Sequence, residues 1–330
     1  MAAQAMIELW RGGMMESRHM GHAVVCDAAG GIVEAWGEPE AVILPRSACK
    51  MMQALPLVES GAADAAGLGE AQLALACASH AAAAIHTEMV TDWLAALGLG
   101  EADLRCGPQM PRDAAAKKAL LCSDTEPCQI HNNCSGKHAG FLTLARHLRS
   151  GPEYVEIDHP VQRAVKAAFE EVTEVTSPGW GIDGCSSPNF ATTLHGFARA
   201  AARFAAARET GDARSRAMVR LTRAMATHPE YVAGEGRSCT RLMRAMEGRV
   251  AVKTGAEAVF VAIVPDRGLG VALKIEDGAT RASEAAITAI LMRLGVLDPE
   301  HEVVEGLLTG PIRNWRGLVT GEMRLAEGFC

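Results

Sequence analysis

No stretch of the chain is apolar for long enough to cross a membrane. The nearest, Ala71–Ile85, is interrupted by Gln72, Ser79 and His80. The N-terminus lacks a charged start followed by an apolar core and a cleavage site, so no secretory leader is expected and the expected location is the cytoplasm. No basic run stands out and the formal net charge is −7, which argues against nucleic acid as a partner. None of the ten cysteines forms a CxxC pair. With 330 residues, 49% of them hydrophobic, the chain can build a core without disulfide staples. Most of the cysteines are expected to be small buried hydrophobes, with one or two available to a metal. There is no internal repeat and no long low-complexity linker.

What is present is an ordered succession of periodicities. Met6–Trp10 and Ser17–Cys26 alternate with a period near two, and Ala28–Gly31 makes a turn before Ile32–Trp36. Helices are expected from about Arg46 to Thr240. Asp158 followed by Pro160 marks a helix start, with Val161, Val165, Ala168 and Phe169 as its apolar stripe. Phe190–Ala207 and Ala213–Thr227 read as further helices. Strands return at Ala258–Val264 and Gly270–Ile275, around the turn Pro265–Gly268, and a helix follows at Ala282–Leu294. The expected fold class is α+β: one antiparallel sheet from about 1–45 and 249–330, and a helical lobe at about 46–248, together a single catalytic domain over 1–330. A site is expected between sheet and lobe.

Two short motifs point to nucleophilic chemistry. In Arg46-Ser47-Ala48-Cys49-Lys50, Ser47 can open a helix, and positions i and i+3 share a helix face. A serine hydroxyl needs a base, and a lysine serves where burial or a nearby cation disfavours its charge. SxxK alone arises by chance about once in a chain of this length. Lys253-Thr254-Gly255, just before the late hairpin, makes a stronger pair with it. SxxK at a helix start with KTG on a later strand is the pairing of penicillin-recognising serine enzymes. Its lysine supplies charge, and its glycine lets another segment lie close. Between them, Cys77-Ala78-Ser79-His80 offers a second hydroxyl. Neighbouring side chains diverge, so Ser79 and His80 are not expected to form a dyad.

His131-Asn132-Asn133-Cys134-Ser135-Gly136-Lys137-His138 and Asp183-Gly184-Cys185-Ser186-Ser187-Pro188 are dense in polar and metal-capable residues. Two thiolates from separate segments suit zinc, and the residue types alone offer His138 or His131 as the third ligand.

Taken together, Arg46-Ser47-x-x-Lys50 with Gln53, Leu73–His80, Cys106-Gly107-Pro108, His131–His138, Asp183-Gly184-Cys185 and Lys253-Thr254-Gly255 resemble the Rhizobium-type, third-class L-asparaginases. The resemblance runs from about Ile7 to about Leu294, and the octapeptide is its most specific part. It implies a fold like that of serine β-lactamases and serine-dependent glutaminases. It also implies two serine–lysine tandems, Ser47–Lys50 and Ser79–Lys253, with Arg46 and Asp183 around the substrate. The zinc site it implies is Cys134, Lys137 and Cys185 with water, so lysine takes the place of histidine. Zinc would displace the lysine's proton, and its occupancy should fall at low pH. Its role would be positional. The assembly implied is a homodimer. One departure is Ala81–Ala84, where the family often carries a polar Gly- and Glu-containing stretch.

The expected activity is hydrolysis of L-asparagine to L-aspartate and ammonia through an acyl-enzyme on Ser47. Three rival readings stand beside it: glutaminase, penicillin-type hydrolase or peptidase, and a non-catalytic zinc-binding protein. A glutamine pocket needs one methylene more, worth about 1–3 kcal/mol of discrimination.

Overall fold

The alternating N-terminal segments form strands, and the sheet they begin is completed from the far end of the chain. A computed structural model describes residues 2–330. Its strands are β1 Gln4–Arg11, β2 Met14–Cys26, β3 Ile32–Trp36, β4 Val42–Ile43, β5 Trp180–Ile182, β6 Pro188–Phe190, β7 Thr192–Thr193, β8 Ala251–Thr254, β9 Val259–Val264, β10 Leu269–Ile275, β11 Pro311–Arg313 and β12 Val319–Leu325. The main sheet runs β11-β12-β1-β2-β10-β9-β8, all antiparallel, with β3 also on β2. The α+β class and the union of N- and C-terminal strands in one antiparallel sheet are as expected. The C-terminal strands β11 and β12 were not read from the sequence.

The chain divides into two compact units. One contains the residues up to Ala48, Thr192–Ala206 and Arg241–Cys330; the other contains Cys49–Ala191 and Ala207–Thr240. In the sheet unit, β9 is apolar at every position and all six residues are buried. A strand alternates only when one face meets water. Here the helices Leu194–Ala206 and Thr280–Arg293 both touch β9, which explains the unbroken run. Each fully buried Val, Ile or Phe contributes about 1.5–3 kcal/mol. The hairpin turn is a single helical turn, Pro265–Arg267, closed by Gly268 at φ +62°.

The helix expected over Phe190–Ala207 begins later, at Leu194. Its first residues instead finish β6 and form β7, whose Thr192 and Thr193 pair with Ile43 and Val42. β-Branched residues suit that extended pairing, and Thr193 Oγ1 then caps the helix by accepting from Gly196 N at 3.0 Å. The helix Pro160–Thr173 is capped by His159, whose Nδ1 accepts from Val161 N at 3.2 Å, and not by Asp158. Its stripe Val161, Val165, Ala168 and Phe169 is buried as expected.

In the helical unit, Ser135–His147 is buried over eleven consecutive residues, Ser135–Ala145. Gly136 meets the end of the helix Glu70–Ala76 so closely that a Cβ there would overlap the Leu75 backbone and side chain. That approach fixes the turn leaving Ala76 against the start of the octapeptide helix. Seven of the ten cysteines are buried, and among the described residues none is in a disulfide. Among the described residues, no helix is long and apolar enough to cross a membrane.

The sheet unit has its own close approach at Gly270. A Cβ there would collide with backbone atoms of Ala198, Ala201 and Ala202. Overpacking against backbone cannot be relieved by a rotamer change, so Gly270→Ala is expected to lower the unfolding free energy by about 3 kcal/mol. Denaturant titration of the variant against the parent measures it; a loss under half of that would mean the helix shifts freely on the strand.

Candidate active site

Lys50 opens a short helix, Lys50–Gln53, and is fully buried. A buried amine must be given hydrogen-bond partners. Lys50 Nζ donates to the Ala78 carbonyl, to Ser79 Oγ at 3.0 Å and to Cys134 Sγ at 3.0 Å. One lysine therefore joins the turn after Glu70–Ala76 to the start of the octapeptide helix. The same turn is held by Ser79 N donating to Val232 O at 2.9 Å and His80 N to Asn133 O at 3.1 Å.

His80 does not serve Ser79. Its Nδ1 accepts from Ala82 N at 3.2 Å, its Nε2 donates to Ser135 Oγ at 2.9 Å, and Ser135 passes its own hydrogen to Ile130 O at 2.8 Å. The ring stacks on His86, with centroids 4.9 Å apart. Burial, then the neighbouring His86, holds its pKa well below the usual histidine value, so it is a neutral structural ring.

Cys134, Lys137 and Cys185 converge, all buried. Lys137 Nζ donates to Cys185 Sγ at 3.0 Å and to Ser187 Oγ. Ser187 Oγ lies 3.3 Å from the same sulfur. Cys134 Sγ donates to Asn133 Oδ1 at 2.8 Å. The neighbouring Cys134 thiol, then the Lys137 charge, draw the Cys185 pKa well below the cysteine range against the opposing effect of burial. The Cys134 pKa is pushed well upward, by its neighbour Cys185 and by burial. Burial works against the charge on Lys137, but Cys185, Cys134 and Asp183 outweigh it and raise its pKa.

The donor set suits zinc, with two sulfurs and one amine held dry at one point. Among the described residues, no group of three or more His, Cys, Asp or Glu gathers to hold a metal. The trio has two such residues and a lysine. Of the two histidines that residue type alone offered, His131 Nδ1 accepts from Cys128 N at 3.1 Å. His138 Nδ1 sits 2.9 Å from the Tyr154 hydroxyl.

Asp183 begins the turn that carries Cys185 and Ser187. Its N donates to Ser187 O at 2.9 Å, its Oδ1 accepts from Gly184 N at 2.7 Å, and Ser186 sits at φ +69°. β5 and β6 flank this turn as a hairpin, in register Ile182 with Pro188.

Arg46, Ser47 and Lys253 belong to the sheet unit. Ser47 lies in a 3-10 turn, Arg46–Cys49, and does not open the α-helix itself; Lys50 does. Arg46 enters the turn at φ +52°, a strained conformation for a residue with a side chain. Lys253 is fully buried on β8, opposite Val261, and its Nζ donates to Thr254 O at 2.8 Å. Gly255 follows, and a Cβ there would stand 2.7 Å from Pro45 O and 3.0 Å from Ala48 N. The glycine of the triplet thus receives the turn that carries Ser47.

The sequence did not single out Asn133 as acceptor for Cys134, Ser187 beside Lys137, or the Tyr154 hydroxyl. Asn133 and Ser187 lie inside the two polar clusters, which was the available signal. A groove of about 550 Å³ in the helical unit is lined by Ala62, Leu68, Met89, Trp93, Leu97 and Arg146, among others, and holds none of these residues.

A family comparison places the chain among the amidohydrolases, over residues 7–325. Within them it belongs to the L-asparaginase II family. The resemblance carried by the motifs is borne out across nearly the whole chain. No curated protein matches it in sequence. Similar solved structures include a protein from Bacteroides dorei described as a β-lactamase, 13% identical over 84% of this chain and 93% of that one, with a TM-score of 0.48. Another is a protein called Mglu, 13% identical over 85% and 63% of the two chains, with a TM-score of 0.45. A third is an octameric penicillin-binding protein homologue from Pyrococcus abyssi, 10% identical over 92% and 81%, with a TM-score of 0.40.

The alanine stretch after His80 is a packed segment. Ala81 and Ala82 are buried and Ala83 is half-buried, and Ala81 O accepts from both Arg112 N and Asp113 N, at 3.0 and 2.9 Å. Ala82 holds φ +59°, which costs an L-residue about 1–2 kcal/mol. Ala82→Gly is therefore expected to raise the unfolding free energy by about 1 kcal/mol, after the larger backbone entropy of glycine is subtracted. A thermal or denaturant midpoint that falls instead would mean the methyl's packing outweighs the strain.

Proposed function

We propose that the chain is an L-asparagine amidohydrolase acting through an ester on Ser47. Membership of the L-asparaginase II family supports the substrate. The observation that carries the chemistry is a fully buried Lys50 hydrogen-bonded to a serine hydroxyl, Ser79; within the sheet unit, a second buried lysine motif ends on Gly255 against the Ser47 turn.

In this reading Ser47 Oγ attacks the side-chain amide carbon while Lys50, as the neutral amine, takes its proton and later returns it to Ser47. The C–O bond forms, and the carbonyl oxygen becomes an oxyanion met by backbone N–H donors. The C–N bond then breaks, and ammonia leaves with a proton delivered through Ser79 and Lys253. Water attacks the resulting β-aspartyl ester, a proton returns to Ser47, and aspartate departs. Arg46 suits the substrate's α-carboxylate and Asp183 its α-ammonium, by charge. Cys134, Lys137 and Cys185 would hold a zinc ion, whose contribution is to tie the Asp183–Ser187 turn to the octapeptide helix. The working assembly in this reading is a homodimer in the cytoplasm.

Ser47→Ala is expected to lose roughly 10⁴-fold or more in asparagine turnover, followed as ammonia release, while keeping its fold by circular dichroism. Unchanged turnover would remove Ser47 as nucleophile. Nitrocefin cleavage without ammonia release from asparagine would replace the reading with a penicillin-type one. Gly255→Ala, by pushing the Ser47 turn away, is expected to lower turnover about 100-fold with a smaller effect on stability. An equal loss in both would make that glycine purely structural.

A further inference from the structure

The groove of about 550 Å³ in the helical unit has the volume of a small-molecule site. Two of its walls are the helices Ala84–Ala96 and Ser135–His147. On the first, Met89 and Trp93 stand four residues apart and share a face, which Leu97 continues. Trp93 and Thr143, one from each helix, are buried where they line the groove. Trp93 Nε1 donates to Thr143 Oγ1 at 3.0 Å, and that hydroxyl donates to Ala139 O at 2.8 Å. Both polar atoms are thus spent on each other and on the backbone. With Leu68 and Leu97 they present a mostly apolar surface.

Polar groups reach this surface from both helices. Asp92 lies beside Trp93 on the first, and Arg146 lies in the last turn of the second, next to His147. Gln72 also lines the groove, but its Oε1 is taken by Gly69 N at 2.9 Å. Among the described residues, neither the Asp92 carboxylate nor the Arg146 guanidinium has an ion-pair or hydrogen-bond partner, and the two do not pair with each other. Each is therefore open to a group of opposite sign. A bound anion would leave Asp92 facing it, and a bound cation would face Arg146 and His147. A purely apolar molecule would strip water from both charges and return nothing. A ligand that serves both heads carries an ammonium and a carboxylate on one short frame. That is the zwitterion of an α-amino acid, and the apolar lining suits an apolar side chain.

We propose that this groove binds a free α-amino acid with an apolar side chain, its ammonium on Asp92, its carboxylate on Arg146 and its side chain over Met89 and Trp93. None of the residues assigned to amide hydrolysis lines the groove. The site is a second amino-acid site on the chain, and it stands independently of the asparagine reading.

Isothermal titration with L-leucine tests it. The parent should take up leucine, and Ser47→Ala should bind it with the same affinity, because the groove is separate from the reacting serine. Leucinamide, which lacks the carboxylate, and isocaproate, which lacks the ammonium, should each bind about 10–100-fold more weakly than leucine. Arg146→Gln should weaken leucine by a similar factor and leave leucinamide unchanged. Asp92→Asn should weaken leucine likewise and leave isocaproate unchanged. Both residues are exposed, so neither variant is expected to lose its fold, and circular dichroism checks this. No uptake of leucine by the parent in the millimolar range would overturn the proposal. So would parental affinity in both variants, which would place leucine elsewhere, or weaker binding in Ser47→Ala. A loss in one variant alone would overturn it too, since the groove would then serve a carboxylate or an amine and not an amino acid.

Discussion

A lysine with no access to water has to be supplied with acceptors, and Lys50 meets that demand from two other stretches of the chain. Ala78, Ser79 and Cys134 all contact its amine. Leaving a partner out would strand a polar group in a dry interior, at a cost of about 1–3 kcal/mol. The Lys50 helix, the Ser79 turn and the Cys134 helix start are therefore held as one arrangement. Asn133 reinforces it by accepting from both the His80 backbone and the Cys134 thiol. The density of polar residues in the octapeptide is explained by that demand before any ligand is considered.

The second buried lysine, Lys137, extends the same electrostatics. Two lysine amines face two sulfurs, yet only the Cys185 pKa is drawn downward, while that of Cys134 is pushed up. Protons here do what a metal ion does in a thiolate site, filling the space between donors and balancing charge. Exchanging them for a divalent cation would remove the Cys134 hydrogen and one from Lys137, so metal binding and proton release are linked. Ser187 stands beside the sulfur on which that exchange depends.

The strands of the sheet could be read because their periods and turns were local. β3 and the helix Ala213–Thr227 fall where the pattern placed them. The strands β5 to β7 could not be read, since two- and three-residue pairings carry no period, and Thr192-Thr193 continues smoothly into a helical stripe. β12 escaped because none of its seven residues is fully buried and its run mixes apolar, polar and glycine positions without a regular period. In the candidate site Ser47, Lys50 and Lys253 stood out by motif spacing and the two cysteines by residue type, whereas Lys137 as a ligand and the pairing of Ser79 with Lys253 came only from the family resemblance. Tyr154 was not legible. Its contact with His138 spans sixteen residues. The bond from Lys50 to Ser79 was also beyond spacing.

Two glycines in the motifs share one physical job. Gly136 precedes Lys137 and admits the end of the helix Glu70–Ala76, from which the Ser79 turn departs. Gly255 follows Lys253 by two residues and admits Pro45 and Ala48, which bracket Ser47. In each unit a serine-bearing turn rests against backbone that has no Cβ, next to a buried lysine. A side chain at either glycine would hold the turn away by about the width of a methyl group, and serine chemistry tolerates displacements of that size poorly. The glycines in SGK and KTG thus set distances, whereas the lysines set charge. That division explains why neither lysine motif carries much meaning without the small residue beside it.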